Sequence, residues 1–125
     1  MKKIIFCFDL DNTICTTHKN NYEKSKPKKK IIQLINNLYE NGHIIKILTA
    51  RFMGRNNDNI KLATKKGYKK THNQLVKWGL KFHKLKISKL SADIYIDDKS
   101  YGYNKKWVFE FEKYIKNKKL ITKKN

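Results

Sequence analysis

Two short apolar runs, each cut off by residues that can do chemistry, constrain this chain more than any other feature. Lys3-Ile4-Ile5-Phe6-Cys7-Phe8 stops at Asp9, and Ile44 to Leu48 runs straight into Thr49-Ala50-Arg51. Runs this short and this continuous read as strands buried on both faces. Between them, residues 12–26 are polar and aperiodic, which reads as a loop. Pro27 suits the first turn of a helix, Ile31, Leu34, Ile35 and Leu38 follow at helical spacing, and Gly42 supplies the stop. Residues 56–67 read as a helix with Ile60 and Ala63 inward, and 71–78 as a second helix ending at Gly79. Residues 82–87 and 93–96 read as two further short strands. Residues 110–118 close the chain as a helix, with Phe109, Phe111, Tyr114 and Ile115 as candidate core. Strand alternating with helix implies parallel pairing through right-handed crossovers. The expectation is an α/β three-layer sandwich around a parallel, Rossmann-like sheet, with functional groups at the carboxyl ends of its strands.

The chain has 125 residues, 39% of them apolar, enough for one domain with a real core. That domain is expected over 1–121, with 122–125 as a frayed tail. No apolar run approaches the roughly 18 residues a bilayer span needs. The basic start Met1-Lys2-Lys3 leads into an apolar stretch that ends at Asp9, short of the roughly 7 to 15 residues of an export signal, so a cytoplasmic protein is expected. Cys7 and Cys15 have no metal or disulfide spacing and read as structural. The formal charge is +20, from 30 basic and 10 acidic residues. Such a field favours anionic partners, among them nucleic acid and phosphorylated metabolites. Only Arg51 and Arg55 are arginines, whereas nucleic-acid readers lean on the guanidinium fork. A/T-rich codons also inflate Lys, Asn and Ile, so the charge by itself does not select nucleic acid.

The candidate chemistry sits where the strand-end rule demands. Asp9 and Asp11 follow the first run, Thr49 and Arg51 the second, and Asp97 and Asp98 follow Ile94-Tyr95-Ile96. Clusters at three strand ends are expected to converge on one small volume. Carboxylates gathered there repel unless a cation offsets them, and an all-oxygen ligand set selects magnesium over zinc. A hard cation ringed by carboxylates grips phosphate. In an extended segment residues two apart point the same way, so Asp9 can attack phosphorus while Asp11 reaches the leaving oxygen.

These segments resemble the four motifs of the haloacid dehalogenase (HAD) superfamily: Asp9-Leu10-Asp11-Asn12-Thr13, the strand ending in Thr49, Lys89 ahead of the last strand, and Ile96-Asp97-Asp98. The motifs occur in family order over almost the whole chain. The resemblance implies a HAD-type core and a magnesium-dependent phosphomonoester hydrolase. Asp9 would be the nucleophile that forms an aspartyl-phosphate, and Asp11 the general acid and base. It implies that Asp9, the Asp11 carbonyl, Asp98 and Asp97 hold Mg2+. Thr49 would bind a phosphate oxygen, and Lys89 would neutralise the phosphoryl charge. Asn12 stands where many relatives have glycine, and left-handed backbone suits it. Lys84 and Lys86 are alternatives to Lys89. The second aspartate favours phosphatase over dehalogenase.

There is no room for a cap domain after Asp11 or after Thr49, so the site is expected to be open or covered by a second subunit. The length, Leu48-Thr49-Ala50-Arg51, Trp78-Gly79 and Tyr95-Ile96-Asp97-Asp98-Lys99 resemble short phosphatases of capsule and surface-polysaccharide biosynthesis. That resemblance implies a sugar or other small-metabolite phosphate as substrate, lying against Asn12, Thr13, Ala50 and Arg51. Nucleotide or polynucleotide ends are the alternative, since the phosphatase domains of polynucleotide kinases share an arginine after the second motif. A catalytically silent binding module is the third reading. Arg51 either binds a second anionic group or pairs with Asp97 or Asp58. His18, His43, His72 and His83 read as surface or loop residues, His18 lying in the loop over the site. Lys65-Lys66-Gly67-Tyr68-Lys69-Lys70 reads as a solvated helix end and turn, and Trp78 and Trp107 as core or interface anchors.

Overall fold

The computed structural model describes residues 2–122. Its elements in chain order are β1 (Ile5–Phe8), β2 (Cys15–Thr16), β3 (Lys26–Pro27), α1 (Lys29–Glu40), β4 (Ile44–Thr49), α2 (Ile60–Lys77), β5 (Lys84–Ile87) and α3 (Trp107–Asn117). β1, β4 and β5 form a parallel sheet in the order β1-β4-β5. The parallel α/β architecture read from the sequence is therefore present, on a sheet of three strands. Among the described residues no helix is long and apolar enough to cross a membrane.

Register explains which face is buried. Phe6, Phe8, Ile45, Ile47, Leu85 and Ile87 share one face through the pairs Phe6–Ile45, Phe8–Ile47, Ile47–Leu85 and Thr49–Ile87. Helix residues pack there: Ile31, Ile35 and Leu38 from α1, Leu75 from α2, and Trp107, Phe111 and Ile115 from α3. The Phe111 ring stands nearly perpendicular to those of Phe6 and Phe8, at 6.0 and 6.1 Å. The opposite face carries Ile5, Cys7, Lys46, Lys84 and Lys86, all exposed, with Ile44 and Leu48 half-buried among them. The sheet is thus covered on one face, in two layers where three were expected. The signal was present in Lys46, Lys84 and Lys86, whose alternation with apolar residues is that of half-buried strands.

Other expectations change as well. Residues 93–96 form no strand, and Ile94 and Ile96 are exposed, so β1 remains an edge of the sheet. The loop over 12–26 contains the small antiparallel pair β2–β3, with Cys15 opposite Pro27. The two helices expected over 56–67 and 71–78 are one, α2, capped by the Asn59 side chain accepting from the Leu62 N–H. Gly67, read as a terminator, is buried in its middle; a Cβ there would lie 2.2 Å from the Phe52 ring. The glycine is present for close approach, not as a stop. His43, read as a surface residue, is buried, its Nδ1 accepting from the Ile4 N–H and its Nε2 donating to the Leu120 carbonyl. Of the expected tail, Thr122 is tied to Asn41 Oδ1, and 123–125 lie outside the described residues.

In an exposed helix interior, Gly to Ala stabilises by about 1 kcal/mol. Gly67→Ala is expected to reverse that sign and destabilise by about 1 kcal/mol or more, measured by chemical denaturation, because the Phe52 ring must move.

Candidate active site

β1 and β4 end side by side, which delivers Asp9 and Asp11 next to Thr49 and Arg51. The chain turns tightly after β1: the N–H groups of Thr13 and Ile14 both donate to the Leu10 carbonyl. Asn12 takes the left-handed conformation (φ 61°) read from its identity, and its Oδ1 accepts from the Thr17 N–H.

Asp9 keeps 35% of its side chain open to solvent, with Lys89 Nζ 3.5 Å from Oδ1 and the Thr13 hydroxyl donating to Oδ2 at 3.1 Å. Lys89 is placed by its own N–H, which donates to the Thr49 carbonyl. Its ammonium lies 4.1 Å from the centre of the Tyr95 ring. Lys84 and Lys86 project from the exposed face of β5, so Lys89 is the lysine of that segment that reaches Asp9.

Arg51 is the most enclosed charge in the site, with 1% of its side chain exposed. Its Nε donates to both Asp11 oxygens at 3.1 and 2.9 Å, and Nη2 donates to Asp11 Oδ1 at 2.8 Å. Nη1 donates to Gln74 Oε1 at 2.6 Å, and Nη2 also reaches Ser25 Oγ at 3.2 Å. Gln74 in turn donates to the Tyr22 carbonyl, and the guanidinium carbon lies 4.8 Å from the Tyr22 ring centre. The Thr17 hydroxyl donates to Asp11 Oδ1 at 2.5 Å and bonds Ser25 Oγ at 2.6 Å. Arg51 therefore does not lie open to a second anionic group of a substrate, nor does it pair with Asp97 or Asp58. Its partner is Asp11. Thr17, Tyr22, Ser25 and Gln74 were missed because nothing local marks them: Tyr22 and Ser25 of the β2–β3 strap and Gln74 of α2 meet Arg51, and Thr17 meets Asp11, only once distant parts of the chain come together.

Thr49 is buried, its hydroxyl accepting from the Arg51 N–H. Ala50 packs beside Met53, Ala63 and Ile87. Cys15 is buried behind Asp11; burial pushes its thiol up, against the Thr17 hydroxyl. Burial also raises the Tyr95 hydroxyl, and the Asp9 charge adds to it.

Asp97 and Asp98 do not join this group. Both are exposed, in a turn where the Lys99 N–H donates to Asp97 Oδ1 at 2.9 Å and the Ser100 hydroxyl to its carbonyl. That backbone N–H, and then the Asp98 side chain, hold the Asp97 carboxyl below its ordinary range. Among the described residues no three His, Cys, Asp or Glu side chains gather in a way that could hold a metal ion. The four-residue magnesium site expected from Asp9, Asp11, Asp97 and Asp98 is thus not assembled in this arrangement, because the strand that was to deliver the last two does not form.

No family model matches the chain, and no curated protein matches it. Among solved structures, it is similar to a structural-genomics target from Vibrio cholerae, with a TM-score of 0.73 at 21% identity, covering 89% of this chain and 98% of that one. At that identity the likeness establishes the fold alone.

Removing one partner of a buried ion pair strands the other. Arg51→Ala is expected to cost about 3 kcal/mol in urea denaturation. Lys89→Ala, at a more solvated pair, is expected to cost under about 1 kcal/mol.

Proposed function

We propose that this chain hydrolyses phosphomonoesters by way of an aspartyl-phosphate on Asp9. The observation that carries the reading is the solvent-open Asp9 carboxylate at the end of β1, with the Lys89 ammonium 3.5 Å away and a second carboxylate two residues on. A carboxylate is a competent nucleophile at phosphorus. The ammonium beside it offsets the charge of the phosphoryl oxygens as the new P–O bond forms. The bond from phosphorus to the leaving oxygen breaks in the same step, and that oxygen takes a proton that enters from solvent by way of Asp11. A water then attacks the acyl-phosphate, gives its proton to the Asp11 carboxylate, which returns it to solvent, and releases inorganic phosphate with the Asp9 carboxylate restored. Arg51 and Thr17 hold Asp11 Oδ1, which leaves Oδ2, with Arg51 Nε at 2.9 Å, as the oxygen that exchanges the proton.

This reading puts the chain with capless phosphatases of the haloacid dehalogenase superfamily, in keeping with the order of its motifs and its parallel α/β fold. A magnesium requirement goes with it. Asp9 and Asp11 alone make a poor cation site, so the ion enters none of the steps above. Holding it would require Asp97 or Asp98 to come beside Asp9. The free edge of β1, where Ile5 is 61% exposed, and the exposed Ile94 and Ile96 are the apolar surfaces that such a movement would cover. An open site without a cap suits a small phosphorylated metabolite such as a sugar phosphate. The +20 charge favours nucleotide or polynucleotide ends as the second reading.

Purified protein with magnesium is expected to release phosphate from an aryl phosphate, and Asp9→Asn to lose at least about a thousandfold in turnover while keeping its thermal midpoint. Undiminished turnover in that variant rules the mechanism out. Chelation that leaves the rate unchanged rules out the cation. A screen over sugar phosphates, nucleotides and oligonucleotide ends then separates the two substrate classes.

A further inference from the structure

At the opposite pole of the sheet from Asp9 lies a groove of about 700 Å3 between the end of α1, the second half of α2 and the start of β5. His83 to Ile87 spans four residues at about 3.3 Å each, so the groove lies about 13 Å along the strand from the catalytic end. Its walls are aromatic. Tyr39 stacks on His83 with centroids 4.5 Å apart, Tyr68 stacks on His72 at 5.9 Å, and His72 meets the edge of Phe82 at 5.6 Å. Tyr68 is exposed and Phe82 half-buried. The phosphoryl chemistry proposed above makes no use of these rings.

Charge surrounds them. Tyr68 and His72 are four residues apart on α2, and Lys65 and Lys69 each precede one of them by three, so the lysines flank the aromatic row. Lys84 lines the groove from β5, and the acid in it, Glu40, is paired with Lys81. The segment read as a solvated helix end therefore continues within α2, where Tyr68 lines the groove and Lys65 and Lys69 lie one helical turn before its rings.

We propose that this groove binds single-stranded nucleic acid, with unpaired bases lying on Tyr68 and Phe82 and phosphates on Lys65, Lys69 and Lys84. Stacking platforms beside a basic track are what a single strand requires: every base offers a π-face, and the lysines replace condensed counterions. A duplex, whose bases are already stacked, gains only the charge. The site stands independently of the phosphatase reading, and Asp9→Asn is expected to bind as wild type does.

The test is fluorescence anisotropy of a labelled ten-nucleotide oligo(dT) over a series of salt concentrations. Tyr68→Ala and Phe82→Ala remove no charge, so each is expected to weaken binding about tenfold with the salt slope unchanged, while Tyr68→Trp holds affinity. Lys84→Gln is expected to lower the slope by about one. Inorganic polyphosphate matched in charge is expected to displace the oligonucleotide from Phe82→Ala more readily than from wild type. Wild-type affinity in both alanine variants, or equal affinity for a duplex of the same length, overturns the proposal and leaves only an undirected lysine field.

Discussion

The buried pair between Arg51 and Asp11 is the constraint around which the carboxyl end of the sheet is organised. A guanidinium with 1% of its surface exposed has lost nearly all its hydration, and only near-complete hydrogen bonding offsets that loss. The partners come from three separate places: Asp11 after β1, Ser25 and the Tyr22 ring in the strap, and Gln74 on α2. Each would be placed loosely by its own element. Together they hold the strap against the sheet and make the orientation of Asp11 a property of the whole fold. Thr17 adds a bond to the same carboxylate, so the segment over the site is tied to the group it covers.

The sheet shows what that tie does not reach. Every described helix with residues in the core packs on the face of Phe6, Phe8, Ile45 and Ile47, and the other face presents lysines and two β1 side chains to water. β1 is consequently an edge strand as well as the strand that carries Asp9. Edge strands with exposed apolar residues tend to acquire partners. The segment from Ile94 to Ile96 has the matching composition but lies off the sheet, with Tyr95 held by the Leu90 carbonyl and by Lys89. Lys89 thus contacts both Asp9 and Tyr95, linking that segment to the end of β1.

Much of this was legible in the residues. The two apolar runs ended where the strands end, Asn12 took the left-handed turn its side chain permits, and Lys89 was the lysine at Asp9. Strand ends are legible because burial and its interruption are local. The errors came where meaning depends on distant chain. Gly67 reads as a stop until Phe52 is known to lie against it, and His43 reads as surface until the Leu120 carbonyl arrives to accept its proton. Residues 93–96 have the composition of a strand, but composition cannot supply a neighbour. Arg51 was singled out for its place at a strand end, but not as a buried charge. Its partner was misjudged because the strap that encloses it carries no periodic signal.

Charge counting explains why the site closes as it does. Asp9 and Asp11 bring two negative charges, and Lys89 and Arg51 bring two positive ones within ion-pair distance, so the assembled group is balanced without a cation. Adding Asp97 and Asp98 to that volume would leave two negative charges uncompensated in a partly desolvated space. Like charges at short range then force either protonation or a divalent ion. Separation of the two carboxylates from the site is therefore the electrostatically stable arrangement of these residues alone. Under the proposed reading, bringing them beside Asp9 would require a doubly charged cation to arrive with them.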